Sequence, residues 1–296
     1  MTEVSVEFPK AGERLRLLAV HAHPDDESSK GAATLAKYVA QGVDVLVVSC
    51  TGGERGDILN PKVDFGNRSI QDVRREEMAT AARILGIGHH WLGFEDSGYP
   101  QGDPRPPLPV GSFADLPLEV VGQPLVDLVR QFRPHVLVTY DEKGGYPHPD
   151  HIRSHEVSMY ALEQAARTDY AQSSLPAWAI AKTYYVHGFS YDRVSTLHQA
   201  CCDVGIESPY ADWLAGWDED AKVSRITTRI PCSDYFEVRD AALLAHATQI
   251  DPDSAWFGVP LDIQKAIWPT EDYELARTRV GVISGEDDLF AGLVGN

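Results

Sequence analysis

Cysteine is scarce in this 296-residue chain. Its four copies, Cys50, Cys201, Cys202 and Cys232, are too few and too scattered for a disulfide framework or an all-cysteine zinc site. Long apolar runs are absent as well: no stretch approaches the roughly 20 apolar residues of a membrane-spanning helix. Residues 1–10 lack the basic start and apolar core of a secretory signal, so the expected setting is the cytoplasm. Positive charge is in deficit, with 26 Lys and Arg against 44 Asp and Glu and a formal net charge of −18 at pH 7. A field of that sign repels phosphate backbones and anionic lipid, which argues against nucleic-acid or membrane-surface binding. Small substrates escape the argument, because a local site can override the global field. Internal repeats and low-complexity tracts are also missing. Apolar residues at 43% and charged residues at 24% are ordinary globular composition.

What the sequence does contain is an alternation of short apolar runs with amphipathic stretches, the pattern of βα units on a parallel sheet. It predicts strands at 15–20, 43–48, 89–92 and 136–140, and helices at 31–40, 70–85, 118–132 and 152–166, with Gly86 placed to stop the second helix. Residues 93–117, rich in Gly and Pro, read as a long loop, either a closing lid or a static wall. Beyond Thr168 the pattern loosens. Strands at 183–186 and 225–230 and a helix at 235–249 are expected to extend the sheet and cap the site. The chain therefore reads as one domain over 1–296, with a core over 1–167 and an extension over 168–296.

Ligands of open α/β sheets sit outside the carboxyl ends of the strands, and two polar clusters fall there. His21-Ala22-His23-Pro24-Asp25-Asp26-Glu27 follows the first strand; Gly144-Gly145-Tyr146-Pro147-His148-Pro149-Asp150-His151 follows the fourth. Either alone is ordinary turn chemistry, since Asp and Pro are favoured in turns. Together, at two strand ends, they form a nitrogen-and-oxygen donor set suited to a divalent metal such as zinc, with three protein ligands and a position left for water. His23 and Asp26 can face one way across the Pro-containing turn and His151 can supply the third ligand, which leaves Asp25 to act as a base. Other motifs fail. His155-Glu156 lacks the second His of a zincin helix, no G-x-S-x-G elbow or P-loop occurs, and Gly86-Ile87-Gly88 precedes a strand rather than following one. Cys201-Cys202 reads as a pair of buried reduced thiols.

The segments Ala22-His23-Pro24-Asp25-Asp26 and Pro147-His148-Pro149-Asp150-His151 resemble the PIG-L/LmbE-like deacetylase family, metal-dependent hydrolases of N-acyl amino sugars. The likeness continues through residues 51–61, 95–98, 245–252 and 268–271, where it is similar to the amidase branch that acts on mycothiol S-conjugates. The resemblance implies a Rossmann-like, largely parallel sheet flanked by helices. It also implies a zinc ion, or iron(II) in the cell, held by His23, Asp26 and His151, with Asp25 as general base. Tyr146 and His148 would stabilise the oxyanion and protonate the leaving amine, and Asp150 would orient His148. A structural partner for His148 and a solvent-facing hydroxyl for Tyr146 are the bland alternatives.

By the same resemblance Asp57, Arg74 and Asp96 contact the glucosamine-inositol part of a small-molecule thiol conjugate, and Lys30 marks the amidase branch. Surface pairing of Arg74 within its helix and a solvated Lys30 are the competing readings. His246 is either a core histidine or a site residue. The implied reaction is hydrolysis of the amide between N-acetylcysteine and glucosamine-inositol, releasing a mercapturic acid. Deacetylation of N-acetylglucosaminyl-inositol, a related hydrolase of a natural-product pathway and a silent sugar-binding protein are the alternatives. The oligomeric state, a homo-oligomer included, is left open.

Overall fold

In the first strand, β1 (Arg16–His21), Leu17, Leu18, Ala19 and Val20 are all fully buried. Neighbouring side chains point to opposite faces: Leu17 and Ala19 join one core, Leu18 and Val20 the other. Covering both faces is what a near-continuous apolar strand requires, and each such side chain contributes about 1.5–3 kcal/mol on burial. The computed structural model describes residues 3–293 apart from 11, 65 and 219–221.

Among the described residues seven strands form one sheet. β2 (Asp44–Thr51), β3 (Gly88–Phe94), β4 (Val136–Thr139) and β5 (Lys182–His187) pair in parallel with β1 in the order β3-β2-β1-β4-β5. Beyond β5 comes β7 (Thr270–Thr278), which runs antiparallel to β5 and to β6 (Thr228–Pro231), the edge strand. Strand order reverses between β1 and β4, so the carboxyl ends of those two strands open a crevice.

On one face pack α2 (Ala32–Ala40), α3 (Ile70–Leu85) and α8 (Phe236–Ala245); on the other, α4 (Leu118–Phe132) and α5 (Pro149–Ala165). A single-turn helix, α1 (Asp26–Ser29), follows β1 directly. A smaller cluster centred on Val194, Leu197, Tyr210 and Val259 joins α6 (Tyr191–Asp203), α7 (Ala211–Ala215) and α9 (Leu261–Ile267).

Where local signals are strong the expected bounds hold. In α3 the Ser69 hydroxyl accepts the Asp72 N–H, and Gly86, with φ 72°, ends the helix. The helix expected from 152 starts at Pro149 instead. His148 caps it, and proline at the first position surrenders an N–H that no helix could use. The helix expected over 235–249 stops at Ala245, after which Gln249 and Ile250 turn back to the His246 carbonyl. β7 escaped the pattern because its acids are buried. Glu271 accepts the N–H groups of Ala33 and Thr34 (3.2 and 2.8 Å), supplying from another strand the cap that Gly31 cannot give α2. Cys201 is buried as expected, whereas Cys202 is exposed with its thiol 3.7 Å from His198 Nε2.

Candidate metal centre and active site

The chain leaves β1 into the turn 22–25 and leaves β4 into the loop 140–148, side by side because the two strands are hydrogen-bonded neighbours. Three buried residues converge there: the ligating atoms of His23, Asp26 and His151 lie within 4.8 Å of one another. Asp26 Oδ2 accepts the His23 N–H at 3.0 Å and lies 3.4 Å from His151 Nε2. His151 Nδ1 sits 3.0 Å from the Gly144 carbonyl, which can only accept, so that nitrogen carries the proton and Nε2 presents a lone pair. Nε2 is buried without a hydrogen-bond partner, an arrangement that costs free energy unless a ligand completes it. Two imidazoles and a carboxylate around such an orphaned nitrogen fit a divalent metal ion. The ring is held flat against Tyr140, with centroids 4.5 Å apart. Gly144, at φ 74°, permits its approach, because a Cβ there would fall 2.7 Å from the His151 Cβ.

The charge balance points the same way. Burial works against protonation of His23, yet the carboxylates of Asp150, Asp26 and Asp96 together hold its proton well above the ordinary imidazole range. Burial likewise opposes ionisation of Asp26, but His151, Lys30 and His23 keep its carboxyl well below the usual range. This concentration of buried carboxylate favours a cation, whether proton or metal.

Asp25 points elsewhere. Its backbone, φ 99° and ψ −29°, is left-handed, a conformation that costs a non-glycine residue about 1–3 kcal/mol and clusters at functional sites. Its carboxylate meets Arg74 Nη2 at 3.3 Å rather than joining His23, Asp26 and His151. Burial raises its pKa to about 6, with Asp26 adding to the rise and Arg74 opposing it.

A cleft of about 490 Å³ opens over these groups, and Asp25, Asp57, Arg74, Asp96, Tyr146 and His148 all line it. Tyr146 is 46% exposed, its ring edge-on to His151 at 4.5 Å. Burial, followed by the charges of Asp26 and Asp25, holds its hydroxyl protonated far above the ordinary range. Burial and then His23 depress His148 to about 4, so its ring is neutral at pH 7. Asp57 is exposed, while buried Asp96 accepts the N–H groups of Arg55 and Gly98 (2.9 and 2.7 Å).

One expectation, the role of the Asp150 carboxylate, changes. The Asp150 carboxylate makes no hydrogen bond to His148: it accepts the Ser97 N–H at 2.9 Å and lies 3.3 Å from His23 Nε2. The backbone N–H of Asp150 orients His148 instead, donating to Nδ1 at 3.1 Å as part of the helix cap. Arg74 is no surface charge. It is 3% exposed and donates to the carbonyls of Gly53 and Pro24, each at 2.7 Å. Gly53, at φ 64°, has to lack a side chain because a Cβ would sit 2.2 Å from the guanidinium. Lys30 is no solvated lysine: its ammonium donates to Oδ1 of Asp26, which lines the cleft, at 2.6 Å and to Ser29 Oγ at 3.2 Å. His246 is fully buried against Glu27 and stands apart from the cleft.

Sequence reasoning missed Tyr99, Arg55 and Gln249. Tyr99 stacks on His148 with centroids 5.4 Å apart, meets the Tyr146 ring edge-on at 6.3 Å and lies under the Arg105 guanidinium. Only an aromatic residue beside the Asp96-Ser97-Gly98 turn hinted at it. Gln249 reaches the cleft from the turn after α8 and donates to the Asp57 carbonyl at 3.1 Å. The loop 95–117 is pinned at both ends, by Ser97 on Asp150 and by Phe113, which is fully buried and donates its N–H to the Glu95 carbonyl.

Comparison with known proteins agrees with this geometry. Residues 18–162 match the family described as PIG-L: GlcNAc-PI de-N-acetylase. A protein of Streptomyces coelicolor named mycothiol S-conjugate amidase is 57% identical over 290 residues, covering 96% of this chain and 99% of its own. A 1D-myo-inositol 2-acetamido-2-deoxy-alpha-D-glucopyranoside deacetylase of Geodermatophilus obscurus is 38% identical, covering 95% of this chain and 98% of its own. Among solved structures, N,N'-diacetylchitobiose deacetylase from Pyrococcus horikoshii shares the fold with a TM-score of 0.60 at 17% identity, over 88% of this chain and 83% of that one. With the cluster of His23, Asp26 and His151 at the switch point of its sheet and relatives matched along nearly its whole length, the chain belongs to the PIG-L family of hydrolases.

Proposed function

We propose that this hydrolase cleaves the amide between N-acetylcysteine and glucosamine-inositol in mycothiol S-conjugates, releasing a mercapturic acid and the free amino sugar. The observation that carries the reading is 57% identity across 99% of the S. coelicolor amidase, against 38% with the G. obscurus deacetylase. Both reactions free the same sugar nitrogen and differ only in the acyl group, so a shared catalytic set serves either.

His23, Asp26 and His151 would hold zinc, or iron(II) in the cell, since two imidazoles and a carboxylate suit either ion. When bound, the ion supplies Lewis acidity at the scissile carbonyl and lowers the pKa of a water toward neutrality. Asp25, whose proton affinity is raised by burial, takes the proton of the attacking water. The Tyr146 hydroxyl donates to the oxygen of the tetrahedral intermediate, a contact worth about 10²–10³ in rate in comparable sites. His148, neutral and with Nδ1 occupied by the Asp150 N–H, carries its proton on Nε2 and donates a hydrogen bond from it to the developing oxyanion, while Asp25 passes the proton taken from water to the leaving amine. Asp57 is exposed to accept sugar hydroxyls. Arg74 and Asp96 make most of their hydrogen bonds within the protein and shape the cleft, and Lys30 steadies Asp26. Four free thiols agree with a reducing, cytoplasmic setting.

The test is kcat/KM on a mycothiol S-conjugate and on N-acetylglucosaminyl-inositol, side by side, with a chelator-treated control. A chelator-sensitive preference for the conjugate is expected. A preference for the acetylated sugar would move the protein to the deacetylase reaction, and activity on neither would overturn both.

A further inference from the structure

We propose that Glu27 and His246 are positioning residues for Asp25, a buried pair that holds the backbone of the base in its left-handed conformation. The inference rests on the reading of Asp25 as base. The Asp25 carbonyl is committed to α1, accepting the N–H groups of Ser28 and Ser29 at 3.0 and 2.9 Å. Its own N–H turns inward, where it would lack a partner, and Glu27 Oε2 accepts it at 3.0 Å. This resembles a capping box with the acid one position early in the helix.

The second oxygen of Glu27 is fixed in turn. Oε1 accepts the Ser28 hydroxyl at 2.5 Å and lies 2.7 Å from His246 Nε2. Neither Glu27 nor His246 is exposed at all. His246 stands 219 positions further along the chain, just past α8, which packs against α1 and α3. Its carbonyl accepts the N–H groups of Gln249 and Ile250, so the backbone that carries the ring is itself closed into a turn.

A buried carboxylate–imidazole pair is a poor device for stability, because well-packed apolar residues of similar volume generally do as well or better. What it can do is specify one geometry. Here Glu27 holds the amide of the residue with the strained backbone, and His246 holds Glu27 in place. Arg74 holds the Asp25 carboxylate from the opposite side. The base is thus braced through its backbone by the segment after α8 and through its side chain by α3.

The experiment compares Glu27→Leu, Glu27→Gln, His246→Gln and Asp25→Ala, measuring kcat, KM and bound zinc for each folded variant on the substrate the wild type prefers. A small displacement of a catalytic group costs up to about 100-fold. Glu27→Leu should therefore lower kcat by about that factor, with KM and zinc content unchanged. Glu27→Gln keeps an oxygen for the Asp25 N–H and should recover most of the loss. If Glu27→Leu fails to fold, His246→Gln carries the test, with a loss in kcat of about tenfold at constant KM. Full kcat in a folded Glu27→Leu, a loss that tracks missing zinc, or no recovery with Gln would overturn the proposal. Full kcat in Asp25→Ala would instead remove the base assignment itself and the brace with it. Loss in Asp25→Ala alongside full kcat in Glu27→Leu rejects only the brace.

Discussion

Replacing Arg74 with methionine removes a guanidinium that is 3% exposed and joins three acceptors: the Gly53 carbonyl, the Pro24 carbonyl and the Asp25 carboxylate. Breaking a buried ion pair costs about 3–5 kcal/mol. The Asp25 side chain is 23% exposed, so water offsets part of that and the lower end, about 3 kcal/mol, applies. For a chain of this size each kcal/mol moves Tm by about 2–4 °C, giving a fall of about 6–12 °C. The same substitution acts on titration. Asp25 already has its pKa raised to about 6 by burial, and Arg74 is the largest influence pulling it down. Without Arg74 the carboxyl holds its proton to still higher pH, and a base is active only when ionised. The acid limb of kcat/KM must therefore move upward, by about 1 pH unit or more. A bound cation lowers the limb in wild type and variant alike, so the sign of the difference survives. Arg74→Lys keeps the charge but cannot fork to both carbonyls; it should lose stability with a smaller shift of the limb. Gly53→Ala reaches the same contact from the other side, because its Cβ would displace the guanidinium. Thermal unfolding and a pH–rate profile on the same preparations decide the matter. A Tm within about 2 °C of wild type together with an unmoved acid limb would refute the reasoning.

Two further outcomes are expected. Glu286 is 5% exposed and takes up Lys182, the Tyr184 hydroxyl (2.5 Å) and the Thr228 hydroxyl (2.9 Å), fastening the segment that carries buried Leu289, Phe290 and Leu293. Glu286→Ala strands the Lys182 ammonium and should cost about 3–5 kcal/mol and open the C-terminal segment to proteolysis, with kcat of the folded enzyme intact; an unchanged Tm would contradict this. Chelation should abolish activity, and zinc at about 100 times its dissociation constant should restore it and add about 2.7 kcal/mol of stability. Asp26→Asn should lose that increment and Asp25→Asn keep it, so equal increments in both variants would show the ligand set to be wrong.

Local chemistry made much of the architecture legible. α3 has the bounds its sequence predicts because a serine cap, a glycine stop and an apolar stripe act within a few residues of one another, and in α4 an apolar stripe alone marks them. Elements that depend on distant partners were not legible. Glu271 looks like a surface residue in sequence, and the amides of Ala33 and Thr34, 238 and 237 positions away, make its burial tolerable. Arg74 shows the same limit, since its helix offers ordinary i,i+3 partners and its actual partners lie 21 to 50 residues away.

By itself the sequence determined the alternation of strands and helices, the two polar clusters at strand ends and the donor types gathered in them, because each is written in residues close along the chain. The tertiary structure decided which of those groups face one another. It turned Asp25 away from Asp26 through a left-handed backbone, set the Asp150 carboxylate on His23 rather than His148, placed Lys30 on Asp26, and brought His246 to Glu27. Hydrogen-bond geometry and burial are properties of atoms within a few ångströms in space, and residues 219 positions apart acquire them only when the sheet and its helices close.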